Sequence, residues 1–142
     1  MFSEPIERDE AKTRFFAWLY DPQSTDIETE HYDRKKILDK WYKEGYINTP
    51  YGRSIEVEPR KAFNYLIQST TADRVLAKAV LIDRLLENKK SYISHIMHDE
   101  IVIDYSDEDR EMIPEIKEIF EDSYVASVYG GKTYFDLEEL HI

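Results

Sequence analysis

The chain has 142 residues, 42% of them apolar and 13% aromatic, enough for a packed core and outside the composition of disordered or fibrous proteins. It has no cysteine, which excludes a disulfide framework and a thiolate metal site. A net charge of −11 argues against nucleic-acid partners, because duplex DNA repels an acidic surface. The excess is local, however. Residues 1–53 carry 9 basic and 11 acidic side chains, residues 54–98 carry 7 and 5, and residues 99–142 carry 3 and 14, so the first two thirds are near neutral. Most of the acidic excess falls in Asp107–Asp122, where a solvated helix face explains it. No apolar run approaches the roughly 20 residues needed to span a bilayer. Met1-Phe2-Ser3-Glu4-Pro5 lacks the basic and apolar regions of a signal peptide. The expectation is a cytoplasmic protein with no membrane partner.

In chain order, Ser3 is an N-cap candidate, with Pro5 in the first turn, for a helix running to about Tyr20 and ended by Asp21-Pro22. A second helix is predicted from about Thr25 to Glu44, with Ile27, Tyr32, Ile37, Leu38 and Trp41 as buried candidates and Gly45 closing it as the C′ residue. Tyr46–Thr49 and Arg53–Val57 read as hairpin strands around Pro50-Tyr51-Gly52. Pro59 opens the longest helix, about Arg60 to Glu87, with a bend expected at Ser69-Thr70-Thr71. Ser91–His95 and Ile101–Asp104 form a further hairpin. Asp107 caps an acidic helix to about Phe120, which Pro114 kinks or delays. Tyr124–Tyr129 and Thr133–Phe135 flank Gly130-Gly131 as a last strand pair. The composition never breaks, so the expected fold is one connected unit of α+β type.

Three patterns carry chemistry. Arg8, Lys12, Phe16 and Tyr20 recur every four residues and share one helical face. Two cations followed by two aromatics can hold a polyphosphate at one end and a sugar and base at the other. The bland reading of the same stripe puts Phe16 and Tyr20 in the core, with the cations snorkelling. Arg60, Asn64 and Gln68 form a second i, i+4, i+8 stripe. Asn and Gln amides both donate and accept, so they can meet minor-groove acceptors without favouring a base pair; a plain polar helix face is the alternative. Last, His98-Asp99-Glu100 sits between two β-branched, apolar runs, which reads as two carboxylates held at a turn, where a hard divalent cation could bind. For His31, His95 and His141 an ordinary surface or core role suffices.

Taken together and in this order, the three motifs resemble the last third of a family A DNA polymerase, the group of bacterial DNA polymerase I. The fingers helix of that family carries Arg-x3-Lys-x3-Phe/Tyr-x3-Tyr. The stretch Arg60–Asp73 is similar to its Arg-x3-Asn-x3-Gln-Gly-Thr-Ala-Ala-Asp block, with Ser69 in place of Gly and Thr71 in place of Ala. His98-Asp99-Glu100 matches its third signature. Gly45-Tyr46-x2-Thr49-x2-Gly52-Arg53 and Gly131-Lys132-Thr133-Tyr134 add to the likeness, which covers almost the whole chain. Two departures stand out: Asp21 follows Tyr20 where the family has Gly, and the segment between Tyr20 and Gly45 is much shorter than usual.

The resemblance implies long fingers helices plus part of an antiparallel palm sheet, with residues 1–45 fingers-like and 46–142 the C-terminal palm part. It implies that Arg8 and Lys12 bind the phosphates of a dNTP, with Lys12 nearest the reacting one. Phe16 lies against the deoxyribose and Tyr20 borders the templating base. Arg60 contacts the template strand, Asn64 and Gln68 the primer–template minor groove, and His98 the primer end. Asp99 is a direct metal ligand and Glu100 a secondary carboxylate of a two-Mg²⁺ site. The family needs a further aspartate, in an Asp-x4-Glu pattern ahead of the fingers helix. The expectation is therefore a split polymerase, of a virus or phage in the host cytoplasm, in which an N-terminal subunit supplies that aspartate and the thumb. Two alternatives stay open: a catalytically inactive, polymerase-derived module that binds DNA or a partner, and a small metal-dependent hydrolase built on His98, Asp99 and Glu100.

Overall fold

The computed structural model describes residues 7–21, 23–24, 33–122 and 124–142. Ser3, Pro5, Ile27, His31 and Tyr32 lie outside them. The described residues form an α+β fold with four α-helices and three small antiparallel sheets. The chain divides into two compact units, Met1–Thr71 and Ala72–Ile142.

The first unit opens with α1, Arg8–Tyr20, which ends at Asp21, where the backbone turns extended. Helix α2, Arg34–Trp41, starts from Asp33, whose side chain accepts from the Lys36 N–H at 3.1 Å as an N-cap. It is shorter than the sequence suggests. The chain leaves it directly into β1, Tyr42–Lys43, which pairs with β2, Tyr46–Asn48, across Glu44-Gly45. Gly45 is thus the second residue of a two-residue hairpin loop and not a helix C′ residue. Both loop residues have positive φ, 54° and 85°, the combination that matches strand twist in such loops and for which glycine is the usual second residue. The hairpin around Pro50-Tyr51-Gly52 forms as expected, joining β2 to β3, Ser54–Glu56. Gly52, at φ 84°, donates its N–H to the Thr49 carbonyl at 2.9 Å.

Helix α3 runs from Pro59 to Leu85, beginning in the first unit and ending in the second. The bend expected at Ser69-Thr70-Thr71 does not interrupt it. The Ser69 and Thr71 hydroxyls donate to the Tyr65 and Ile67 carbonyls, four residues back, and so are satisfied without breaking the ladder. In the first unit α3 buries Phe63 against Trp18 and Leu19, and Ala62 and Leu66 against Ile47. Ile37, Leu38 and Trp41 of α2 pack on these clusters, as their spacing predicts. Each large side chain removed from water here contributes about 1.5–3 kcal/mol.

In the second unit α3 presents Val75, Ala79 and Ile82, and Leu86 just past its end continues the 4-3-4 spacing, all buried. Ile82 and Leu86 form a cluster with Met112, on which Ile93, Ile101 and Ile103 pack. Those isoleucines come from β4, Tyr92–Met97, and β5, Glu100–Asp104, an antiparallel hairpin. A bulge between Ile93 and His95 shifts the register, so that Ile93 opposes Ile103 and Ile96 opposes Ile101. The bulge explains how two isoleucines three residues apart share one face of a strand. A 3₁₀ turn, Asp107–Met112, then leads into α4, Ile113–Phe120, with Pro114 in its first turn. Ser106, not Asp107, occupies the position before the turn. The last strand pair also differs from expectation: β6 is Val128–Gly130 but its partner β7 is Glu138–Leu140, because Tyr134–Asp136 coil into a 3₁₀ turn. The Thr133 hydroxyl closes that turn on the Asp136 carboxylate at 2.7 Å.

Among the described residues each unit buries one charged side chain. In the first, Arg34 has its guanidinium 4.9 Å from the Trp18 ring and 5.6 Å from the Phe63 ring. It donates to the carbonyls of Trp18 and of Asp21, the latter at 3.0 Å, at the end of α1, where carbonyls have no partner within the helix. In the second, Asp109 accepts the Ser91 N–H at 2.6 Å, and the Ser91 hydroxyl accepts the Ser106 N–H at 2.8 Å. The acidic stretch 107–122 is therefore not wholly a solvated face.

Candidate functional site

Helix α1 turns its two kinds of aromatic in different directions. Trp18 and Leu19 enter the core with Phe15 beside them, while Phe16 and Tyr20 are 41% and 61% exposed. The Phe16 and Tyr20 rings stack, 6.2 Å between centroids and 14° between planes. The Lys12 ammonium lies 6.0 Å from the Phe16 centroid, at the outer reach of a cation–π contact. Arg8 and Lys12 are exposed as well. The expected stripe thus exists as a continuous solvent-facing row, ordered by 100° steps of the helix and by ring stacking. The reading that places Phe16 and Tyr20 in the core is incorrect, because Trp18 and Leu19 already fill that side.

On α3, Asn64 and Gln68 are brought together: the Gln68 amide nitrogen donates to the Asn64 side-chain carbonyl at 3.1 Å. This bond leaves the Gln68 carbonyl and the Asn64 amide nitrogen outside the pair; Gln68 is exposed and Asn64 half-buried. Arg60 stands one turn earlier and lines a cavity of about 360 Å³ with Lys35, Arg34 and Phe63. At Ser69, where the resembling family has glycine, the side chain is buried and fully used in backbone bonds to Tyr65 and Leu66.

In the second unit, Met97 pairs with Glu100, so His98 and Asp99 form the two-residue loop of the β4–β5 hairpin. His98 has φ 53°, in the left-handed region that costs a residue with a Cβ about 1–2 kcal/mol. All three side chains of the motif are exposed. Glu100 accepts the Tyr134 hydroxyl at 2.7 Å, and this bond to a carboxylate raises the Tyr134 pKa above the usual phenol range. Glu100 therefore keeps one oxygen for another partner, whereas the Asp99 carboxylate makes no hydrogen bond among the described residues. Asp99 and Glu100 thus put two exposed carboxylates, hard oxygen donors of the kind divalent cations take, next to each other in sequence at the turn. Among the described residues no group of three or more His, Asp or Glu side chains comes together to hold a metal ion. His95 shares a 2.9 Å bond with Ser94 and His141 is exposed, roles that need no chemistry.

Sequence reasoning misses the Tyr134–Glu100 bond, although Tyr134 closes the stretch Gly131-Lys132-Thr133-Tyr134. It also misses Arg34, which sits in the basic run Arg34-Lys35-Lys36 and gives no sign of burial. Neither a protein-family model nor a curated protein nor a solved structure matches this chain. No helix among the described residues is long and apolar enough to cross a membrane.

Proposed function

We propose that this chain is the C-terminal subunit or fragment of a split family A DNA polymerase, active in template-directed DNA synthesis only when a partner chain supplies the first catalytic aspartate and the thumb. The observation that carries the reading is the exposed, stacked Phe16–Tyr20 pair behind Lys12 and Arg8. An aromatic pair left in water at the end of a cationic helix row is a poor use of apolar surface unless a ligand covers it. A deoxynucleoside triphosphate fits the row: phosphates on Arg8 and Lys12, deoxyribose against Phe16, base toward Tyr20. The exposed Asp99 and Glu100 at the hairpin turn, and the paired Asn64–Gln68 amides, suit a metal ligand pair and minor-groove contacts respectively.

In this reading Mg²⁺, when bound, supplies charge neutralisation at the transferring phosphate. Asp99 holds a cation and Glu100, oriented by Tyr134, supports it. Lys12 neutralises phosphate oxygens, Arg60 contacts the template, and His98 borders the primer end. The partners are the N-terminal polymerase subunit, primer–template DNA and dNTPs. The setting is the cytoplasm, of a host cell if the source is viral.

The test is to recover the chain with its native partner and assay primer extension with Mg²⁺. Synthesis by the complex and by neither chain alone supports the reading. A partner-free chain that binds primer–template without synthesis would favour the inactive binding module instead.

A further inference from the structure

Helix α2 divides its side chains between core and solvent. Arg34, Ile37, Leu38 and Trp41 are buried or half-buried and pack inward, which leaves Lys35, Lys36, Asp39 and Lys40 as its exposed positions. Three of those four are lysines, and Lys43 on β1 adds a fourth exposed cation. Among the described residues none of the four lysines forms an ion pair, although the chain carries 30 acids against 19 bases. The second unit treats its cations otherwise: Arg74, Lys78, Lys89, Lys90 and Lys117 each lie within ion-pair distance of a carboxylate. An unpaired lysine row in an acidic chain keeps its positive potential for an outside partner. Lys36 and Lys40 stand one helical turn apart, about 6 Å along the axis. The Lys40 ammonium rests 4.7 Å from the Trp41 ring, a contact that leaves its charge uncancelled. Lys43 lies opposite Tyr46 across the β1–β2 pair, so the two side chains share a face of the sheet. That face is the outer one, since Tyr42 and Ile47 turn the other way, into the core. Tyr46 is 44% exposed, and Glu56, opposite it on β3, is the acid on its far side.

We infer that this outer face, Lys36, Lys40 and Lys43 with Tyr46 beside them, binds a single strand of nucleic acid: the lysines meet its phosphates and the Tyr46 ring stacks on a base. Cations along the backbone beside an exposed ring are the pattern by which single strands are held without sequence preference. A duplex hides its base faces and an acidic polypeptide has none, so neither uses Tyr46 as a single strand does. The inference goes beyond the polymerase reading, in which Lys36, Lys40, Lys43 and Tyr46 have no role. Helix α2 also falls between Tyr20 and Gly45, the segment that is much shorter here than in the family the chain resembles.

The test titrates the full chain into a fluorescein-labelled thymidylate dodecamer and follows anisotropy over a range of salt. Saturable binding is expected, with log Kd rising by about 2 per tenfold increase in salt for three neutralised phosphates. Lys36→Gln and Lys40→Gln together should weaken binding at least tenfold at low salt and lower that slope by about 1.4. Both positions are exposed and glutamine matches lysine in helix propensity, so the fold is retained, which circular dichroism checks. Tyr46→Thr, which keeps a strand-forming residue, should weaken binding about tenfold with the slope unchanged. Lys89→Gln with Lys90→Gln, the same charge change on the second unit, should leave affinity within twofold. The inference is overturned by no saturable binding, by unchanged affinity in the α2 double variant, or by an equal loss in the second-unit control. Equal affinity for a duplex dodecamer, or displacement by polyglutamate as effective as by unlabelled thymidylate, would overturn it too. Binding lost in Arg8→Gln with Lys12→Gln but kept in the α2 variant would place the strand on α1, ending this inference and leaving the polymerase reading where it was.

Discussion

The two units solve the same problem with opposite charges. Each must tie down a chain segment next to a helix end, and among the described residues each buries one ionised side chain to do so. In the first unit Arg34 lies against two aromatic rings and donates to carbonyls at the end of α1; in the second Asp109 accepts the backbone N–H of Ser91 after α3. A guanidinium keeps its charge at every accessible pH, whereas a carboxylate does not. The first staple is therefore indifferent to acid and the second is not. The same contrast runs through the candidate sites. The row on α1 is ordered by a regular helix, while His98-Asp99-Glu100 depends on a strained two-residue loop and one bond from Tyr134.

Four experiments test that contrast, beginning with the largest effect. If the hairpin contributes chemistry, Asp99→Ala should abolish primer extension by the reconstituted complex while the complex itself still forms; retained synthesis would remove Asp99 from the metal site. Arg34→Ala should destabilise the first unit by about 3 kcal/mol, since it strips packing and two charge-assisted bonds at once. Urea unfolding followed by tryptophan fluorescence measures this, because Trp18 reports directly on the site. Arg34→Lys should recover only part of the loss, and full recovery would mean that charge alone matters.

For the second staple the sign can be worked out. The Ser91 hydrogen bonds, partly offset by burial, hold the Asp109 pKa below the usual carboxylate range. Its contribution is therefore fully present above the unfolded-state pKa, near 4, and is lost as pH falls through the lower folded value. Asp109→Asn should flatten the acid limb of the second unit's unfolding curve while leaving Arg34-dependent stability unchanged. An unaltered acid limb would show that other carboxylates set it. His98→Gly has the smallest effect: relief of the left-handed strain should raise stability by about 1 kcal/mol, read as a shift in thermal midpoint. No gain would mean that the loop does not store strain.

Much of the local structure was legible beforehand. Asp21 ends α1, Pro50-Tyr51-Gly52 turns β2 into β3, His98 and Asp99 occupy a hairpin loop, and Pro114 begins α4 late. Gly45 and the partner of β6 depart from expectation for separate reasons. Glycine at a helix end and glycine in a hairpin loop look alike in sequence, and Thr133-Tyr134-Phe135 has strand-like residues but coils because Thr133 can bond Asp136.

What the sequence by itself determined is therefore periodicity and punctuation: which residues share a helical face, where prolines and glycines stop an element, and which chemical groups recur at fixed spacing. Those are properties of the covalent chain and its short-range sterics. Only the tertiary structure decided which face of α1 enters the core, that Arg34 and Asp109 are buried while their charged neighbours are exposed, and that Tyr134 reaches Glu100. Burial and pairing depend on what packs from elsewhere in the chain, and no local pattern around Arg34 or Asp109 encodes the rings or the backbone N–H that receive them.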